Sequence, residues 1–235
     1  MRELVENARK RLRDLADPKV RDSGARFFKE PVAAYGVKSA DVRKIAKQVW
    51  AMVKREPKDA VFALCEDFWR GGYLEEGGVA CELAACLGKA YGKEDFAVFD
   101  RWLDAYIHNW AHCDMLCLQC LAPLIAKFPD IVPAARAWAG AGNRWKKRAA
   151  AVAFVPAARA GERLEDVFAV SDALLPDPDD MVQKGYGWAL KVAGEKHPDA
   201  VFAFLMERKS AMPRTAFRYA LEKLPPALRA AAMGK

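Results

Sequence analysis

The chain has 235 residues, of which 53% are apolar and 29% charged, enough to bury a sizeable core beneath a wet surface and to exclude disorder as its general state. Lysine and arginine outnumber aspartate and glutamate by 38 to 31, and the resulting +7 draws the protein toward a polyanion without saying which one. The opening residues Arg2, Glu3, Glu6, Arg9, Lys10, Arg11 and Arg13 do not read as a signal peptide, and no apolar run approaches the roughly 18 residues of a membrane span. Cys65, Cys81, Cys86, Cys113, Cys117 and Cys120 read as reduced thiols, so the expected location is the cytoplasm.

Residues 1–55 read as leading helices. Val42, Ile45, Ala46, Val49 and Val53 recur at three-to-four spacing, the pattern of a helix with one buried face. From residue 56 onward a register repeats. Asp59-Ala-Val-Phe, Asp95-Phe-Ala-Val-Phe, Asp130-Ile-Val-Pro-Ala, Asp166-Val-Phe-Ala-Val and Asp199-Ala-Val-Phe each read as a helix start, at intervals of 36, 35, 36 and 33 residues. An acidic group in the first turn suits the helix dipole. Gly71-Gly72, Gly92, Pro129, Gly140, Gly161, Pro176, Pro178 and Pro198 punctuate the pattern. Fifteen residues after each aspartate, Leu74, Trp110, Trp145, Met181 and Arg214 fall near the start of a second helix. A period near 35 holds two helices and two short loops, and each unit exposes an apolar face that its neighbour must cover. The expected fold is all-α, a HEAT-like helical-repeat solenoid (an α-α superhelix) forming a single domain over 1–235. About five helix pairs run from 56 to 235, with a basic concave face.

Three constellations carry chemistry. In Asn109-Trp110-Ala-His-Cys-Asp114, an indole and a carboxylate four residues apart share a helix face, and the line continues through Leu118, Leu121 and Ile125. A carboxylate at the head of an apolar stripe must be capped, paired or functional, and the residues alone leave these alternatives open. Asn143-Arg144-Trp145-Lys146-Lys147-Arg148 is the densest basic cluster, and it opens an apolar helix where the dipole opposes cations. It reads either as a solvated first turn or as a phosphate contact. Gln183-Lys184-Gly-Tyr-Gly-Trp188, with Lys191, sets two glycines in a helical pattern, so that either a ligand or a neighbouring helix comes close to the backbone. Further cations recur at Lys38, Arg43, Lys44, Lys47, Arg208, Lys209, Arg214 and Arg218, spread as a long backbone track requires.

His108, His112, Cys113, Cys117 and Cys120 can be drawn into a metal site on paper. Cys117 and Cys120 lie among leucines, where cysteine behaves as a small hydrophobe, and His112 and Cys113 face different ways; no metal is expected. A glycine-rich phosphate loop, a nucleophile elbow and a zinc deaminase signature are all missing.

Trp110-x-x-x-Asp114, Trp145-Lys-Lys-Arg148 and Gln183-Lys-Gly-Tyr-Gly-Trp188 together resemble the bacterial DNA alkylation repair glycosylases built from HEAT-like repeats. The earlier Phe28-Lys-Glu-Pro-Val-Ala-Ala-Tyr-Gly-Val-Lys38-Ser39-Ala-Asp-Val-Arg43 is similar to that family's first-repeat signature, so the resemblance runs over nearly the whole chain. It implies a hydrolase that releases positively charged N-alkylated purines, 3-methyladenine and 7-methylguanine, without drawing the base into a pocket. Trp110, Asp114 and Trp188 would face the lesion. Arg148, Arg144, Trp145, Lys146, Lys147, Lys184, Lys191, Arg214, Arg218, Lys38, Ser39 and Arg43 would hold the DNA. The implied partner is double-stranded DNA containing alkylated bases, met by a nucleoid-associated monomer with no cofactor and no membrane. The chain departs from the family where an aspartate commonly follows the first tryptophan; here Ala111 does. A non-catalytic DNA-binding repeat protein and a protein-interaction scaffold are the alternative readings.

Overall fold

A computed structural model describes residues 1–234, and among these the chain is helical with no strand. In chain order the helices are α1 (Arg2–Asp14), α2 (Pro18–Ala25), α3 (Ser39–Val53), α4 (Lys58–Trp69), α5 (Leu74–Cys86), α6 (Asp95–Ala105), α7 (Trp110–Leu116) and α8 (Ala122–Lys127). There follow α9 (Val132–Ala137), α10 (Arg144–Val152), α11 (Val155–Ala160), α12 (Leu164–Leu174), α13 (Asp180–Ala193), α14 (Pro198–Glu207), α15 (Arg214–Leu221) and α16 (Pro226–Met233). The second helices of the repeat begin at Leu74, Trp110, Arg144, Asp180 and Arg214, within one residue of the positions the register predicts. Asp59, Asp95, Asp130, Asp166 and Asp199 all lie in first turns. Stacked helix pairs thus make up the chain, the arrangement of a HEAT-like repeat. Among the described residues no single helix is long and apolar enough to cross a membrane.

The chain divides into two compact units, one of Met1–Asp95 with Ala105–Cys120, the other of Phe96–Asp104 with the chain from Leu121 onward. In the first, α5 packs against α3, α4 and α7. Val42, Ile45, Ala46, Val49 and Val53 are all buried, as their spacing requires. Leu12, Leu64, Phe68, Leu83 and Leu116 complete this core. Glu75 and Glu76, at the start of α5, are buried as well. The Glu75 carboxylate accepts the backbone N–H groups of Tyr35, Gly36 and Val37 at 2.8–2.9 Å, which secures the extended segment leading into α3.

In the second unit α13 packs against α10, α11, α12 and α15. Its two glycines answer to that packing. A Cβ on Gly187 would stand 2.9 Å from Tyr219 Cβ and 3.0 Å from the Ala216 carbonyl of α15, and one on Gly185 would stand 3.2 Å from Arg148 Cγ of α10. Of the two readings of this motif, close approach of neighbouring helices is the one these distances explain.

Candidate functional site

In the first unit the chemistry gathers on α7. Asn109 adopts extended backbone and its Oδ1 accepts the His112 N–H at 2.9 Å, so the helix is capped by an asparagine. Asp114 is therefore no capping group. It lies on the fifth residue of the helix, one turn beyond Trp110, and is buried. Trp110 is half-buried. Its ring stacks on Phe28 with centroids 5.2 Å apart, and its Nε1 donates to the Phe27 carbonyl at 3.3 Å. The segment before α3 thus covers one indole face and fixes its tilt.

Past Asp114 the expected apolar stripe changes register. Cys117–Leu121 forms a π-helical turn, which inserts an extra residue into the helical repeat. Cys117, Cys120 and Leu121 are fully buried whereas Leu118 is only half-buried, so the simple four-and-three line through Leu118 does not hold.

His112 is a core residue. Its Nε2 lies 3.0 Å from the Leu74 carbonyl and its Nδ1 lies 3.1 Å from Asn109 Nδ2. A carbonyl can only accept, so Nε2 carries the proton and Nδ1 accepts from the amide. Burial pushes the imidazole down to about 4, which leaves it neutral at pH 7. The neighbouring cysteines are equally occupied with packing. Burial pushes the thiols of Cys65, Cys81 and Cys120 up, the last to about 12, far from a reactive thiolate. Among the described residues no three His, Cys, Asp or Glu side chains are arranged to hold a metal ion. Lys38, Ser39 and Arg43 stand exposed at the start of α3 in this same unit.

In the second unit the basic cluster of α10 follows its cap, Asn143, whose Oδ1 accepts the Trp145 N–H at 2.8 Å. The dipole's opposition to cations in this turn is offset by aspartates from both sides. Lys146 pairs with Asp100 and Asp104 at 2.9 and 2.6 Å. Lys147 pairs with Asp177 at 2.6 Å, and Arg144 grips Asp179 through two nitrogens at 2.8 and 3.1 Å while lying over the Trp145 ring. Trp145 itself is buried. Arg148 is buried against α13 and its Nη1 donates to the Met181 carbonyl at 2.5 Å.

On α13, capped by Asp179, Lys184 pairs with Asp180 at 3.2 Å. Trp188 is half-buried, and Lys191 pairs with Glu222 beside the Tyr219 ring. Arg214 and Arg218 are exposed, one turn apart on α15.

Sequence reasoning missed two things here. One is the set of caps, although Asn109, Asn143 and Asp179 recur just before successive second helices and this signal was readable. The other is the carboxylate partners of the basic cluster, which come from Asp100, Asp104 and Asp177, 30 to 46 residues away in sequence.

A family model described as DNA alkylation repair enzyme matches residues 8–224. A solved structure of a predicted DNA alkylation repair enzyme from Enterococcus faecalis superposes with a TM-score of 0.80, covering 90% of this chain and 97% of that one. At 17% identity that likeness establishes a shared fold. No curated protein matches the chain.

Proposed function

Because the chain belongs to the DNA alkylation repair enzyme family, we propose that it is a DNA glycosylase that excises positively charged N-alkylated purines such as 3-methyladenine and 7-methylguanine from duplex DNA. The observation that carries this reading is the pairing on α7 of a half-buried indole with a buried carboxylate one turn on. As the C1′–N bond breaks, its electron pair passes to the base, which leaves neutral, and positive charge develops on the sugar. The Trp110 face not covered by Phe28 attracts that charge, and Asp114 stabilises it at short range. Asp114 also orients the water whose oxygen adds to C1′ and accepts the proton the water sheds. Trp188 supplies a second π-face. A cationic base is already a good leaving group, so no general acid is needed and the base need not enter a pocket.

Arg148, Lys146, Lys147, Lys184, Lys191 and Arg144, the last lying on the buried Trp145 ring, hold the strand, with Arg214 and Arg218, and Lys38, Ser39 and Arg43 of the first unit, as further contacts. The work is done by a monomer without a metal or cofactor. Lys146 and Lys147 reach phosphates by exchanging an aspartate for a phosphate oxygen, so their contribution is a difference between two anions.

The test is release of 7-methylguanine from methylated duplex DNA. Release above spontaneous depurination is expected, lost in Asp114→Asn by on the order of 100-fold or more while duplex binding persists. No release, with salt-sensitive duplex binding indifferent to the lesion, would identify a non-catalytic DNA-binding repeat protein. No affinity for duplex at physiological salt would identify a scaffold.

A further inference from the structure

An open groove of about 660 Å³ in the first unit has no residue of α7 in its lining, which comes from α1, Tyr35, the turn between α4 and α5 and the helix ends beside it. Arg2, Glu6, Arg9 and Arg13 follow one another along α1 at helical spacing, and all four line the groove. The groove's carboxylates are already spoken for. Arg9 pairs with Glu6 and Glu76, both at 2.9 Å, and Arg70 with Asp67 at 2.6 Å. Among the described residues, Arg2 and Arg13 have no carboxylate within ion-pair distance. Eleven residues of helix set their Cα atoms about 16 Å apart.

Tyr35 and Tyr73 also line the groove, stacked with centroids 4.1 Å apart and planes 10° off parallel. The Tyr35 hydroxyl donates to Glu76 at 2.7 Å, which fixes the pair, and Tyr73 is 37% exposed.

We propose that this groove takes a short single strand of DNA, with Arg2 and Arg13 on its phosphates and an unpaired base on the Tyr73 ring. The proposal rests on the DNA-repair reading of the chain but not on its glycosylase chemistry. Cations spaced along a groove, with an aromatic platform among them, are the two elements of single-strand recognition. A mononucleotide gathers its phosphates at one end, whereas a strand carries one at every residue and so suits two arginines whose Cα atoms stand about 16 Å apart. A duplex keeps its base faces stacked on one another, out of reach of Tyr73.

The experiment is fluorescence anisotropy of a labelled thymidine hexamer with the full chain across a salt series. Binding is expected. The Arg2→Gln/Arg13→Gln double variant should weaken it about tenfold and flatten the log K against log salt slope by about 1.4, two contacts at about 0.7 each. Tyr73→Ala should weaken it about fivefold or more with the slope unchanged, and Tyr73→Phe should restore it. Unaltered affinity and slope in the double variant would overturn the proposal. So would competition by thymidine monophosphate at the same concentration as unlabelled hexamer. Release of 7-methylguanine from methylated duplex should be the same in the double variant as in the unmodified protein. A protein that releases no base yet loses hexamer binding in the double variant refutes the glycosylase reading and supports this one.

Discussion

His112 spends both ring nitrogens inside the first unit, one on the Leu74 carbonyl and one on the Asn109 amide; the second bond, in which Nδ1 accepts, requires the neutral ring, and burial favours that form. Its folded pKa, about 4, lies below the ordinary value near 6.5. The unfolded chain therefore binds the proton more readily. Stability is fully present above about pH 6.5 and falls as the pH drops toward 4, by on the order of 3 kcal/mol for this group. Urea denaturation at pH 7 and at pH 4.5 should show that loss in the unmodified protein and a smaller one in His112→Gln. Equal losses in the two would remove His112 as the cause. Asp114 poses the opposite problem. A buried carboxylate one turn from a capping asparagine adds nothing to the cap, and on the glycosylase reading Asp114→Asn should lower base release by on the order of 100-fold while duplex binding persists.

Glycines set the spacing between helices. A Cβ on Gly77 of α5 would fall 2.3 Å from His112 Nε2 and 2.5 Å from the Trp69 ring, so the bond from His112 to α5 exists because this residue lacks one. Gly77→Ala should cost about 1–3 kcal/mol through overpacking. Gly187→Ala should cost a similar amount where α13 meets α15, whereas at Gly140 a Cβ meets nothing within 4 Å and alanine should be close to neutral. Chemical denaturation of the three variants ranks them directly, and a Gly140→Ala as damaging as the others would refute the packing account. The register of these helices was legible because apolar spacing and first-turn aspartates are local properties. The π turn at Cys117–Leu121 was not, because an inserted residue leaves each side chain with the same intrinsic preference and is selected only by what the neighbouring helices accept.

Over the whole molecule, net charge overstates what is available to a polyanion. Of the cations in the Asn143–Arg148 cluster, Arg144, Lys146 and Lys147 carry aspartate partners, and Pro176-Asp177-Pro178-Asp179-Asp180 supplies carboxylates to Arg144, Lys147 and Lys184. Asp177→Asn keeps an oxygen that can accept the Asp179 N–H but removes the charge that Lys147 faces. On the glycosylase reading, this variant should bind duplex DNA more tightly, with the log K against log salt slope steeper by about 0.9. An unchanged slope would show that Lys147 serves the fold alone.

The sequence by itself determined the helical class, the repeat length, the positions where second helices begin and the two residues on α7 that lie one turn apart. Each of these depends on spacing along one chain, which 3.6-residue periodicity converts directly into a face. Tertiary structure alone decided which partners the charges and rings find: Phe28 on Trp110, Asp177 and Asp179 on the basic cluster, Leu74 on His112, and α15 against Gly187. Those pairs join residues 29 or more positions apart. Their free energy comes from burial and from groups satisfied at a distance, so no window of sequence contains it.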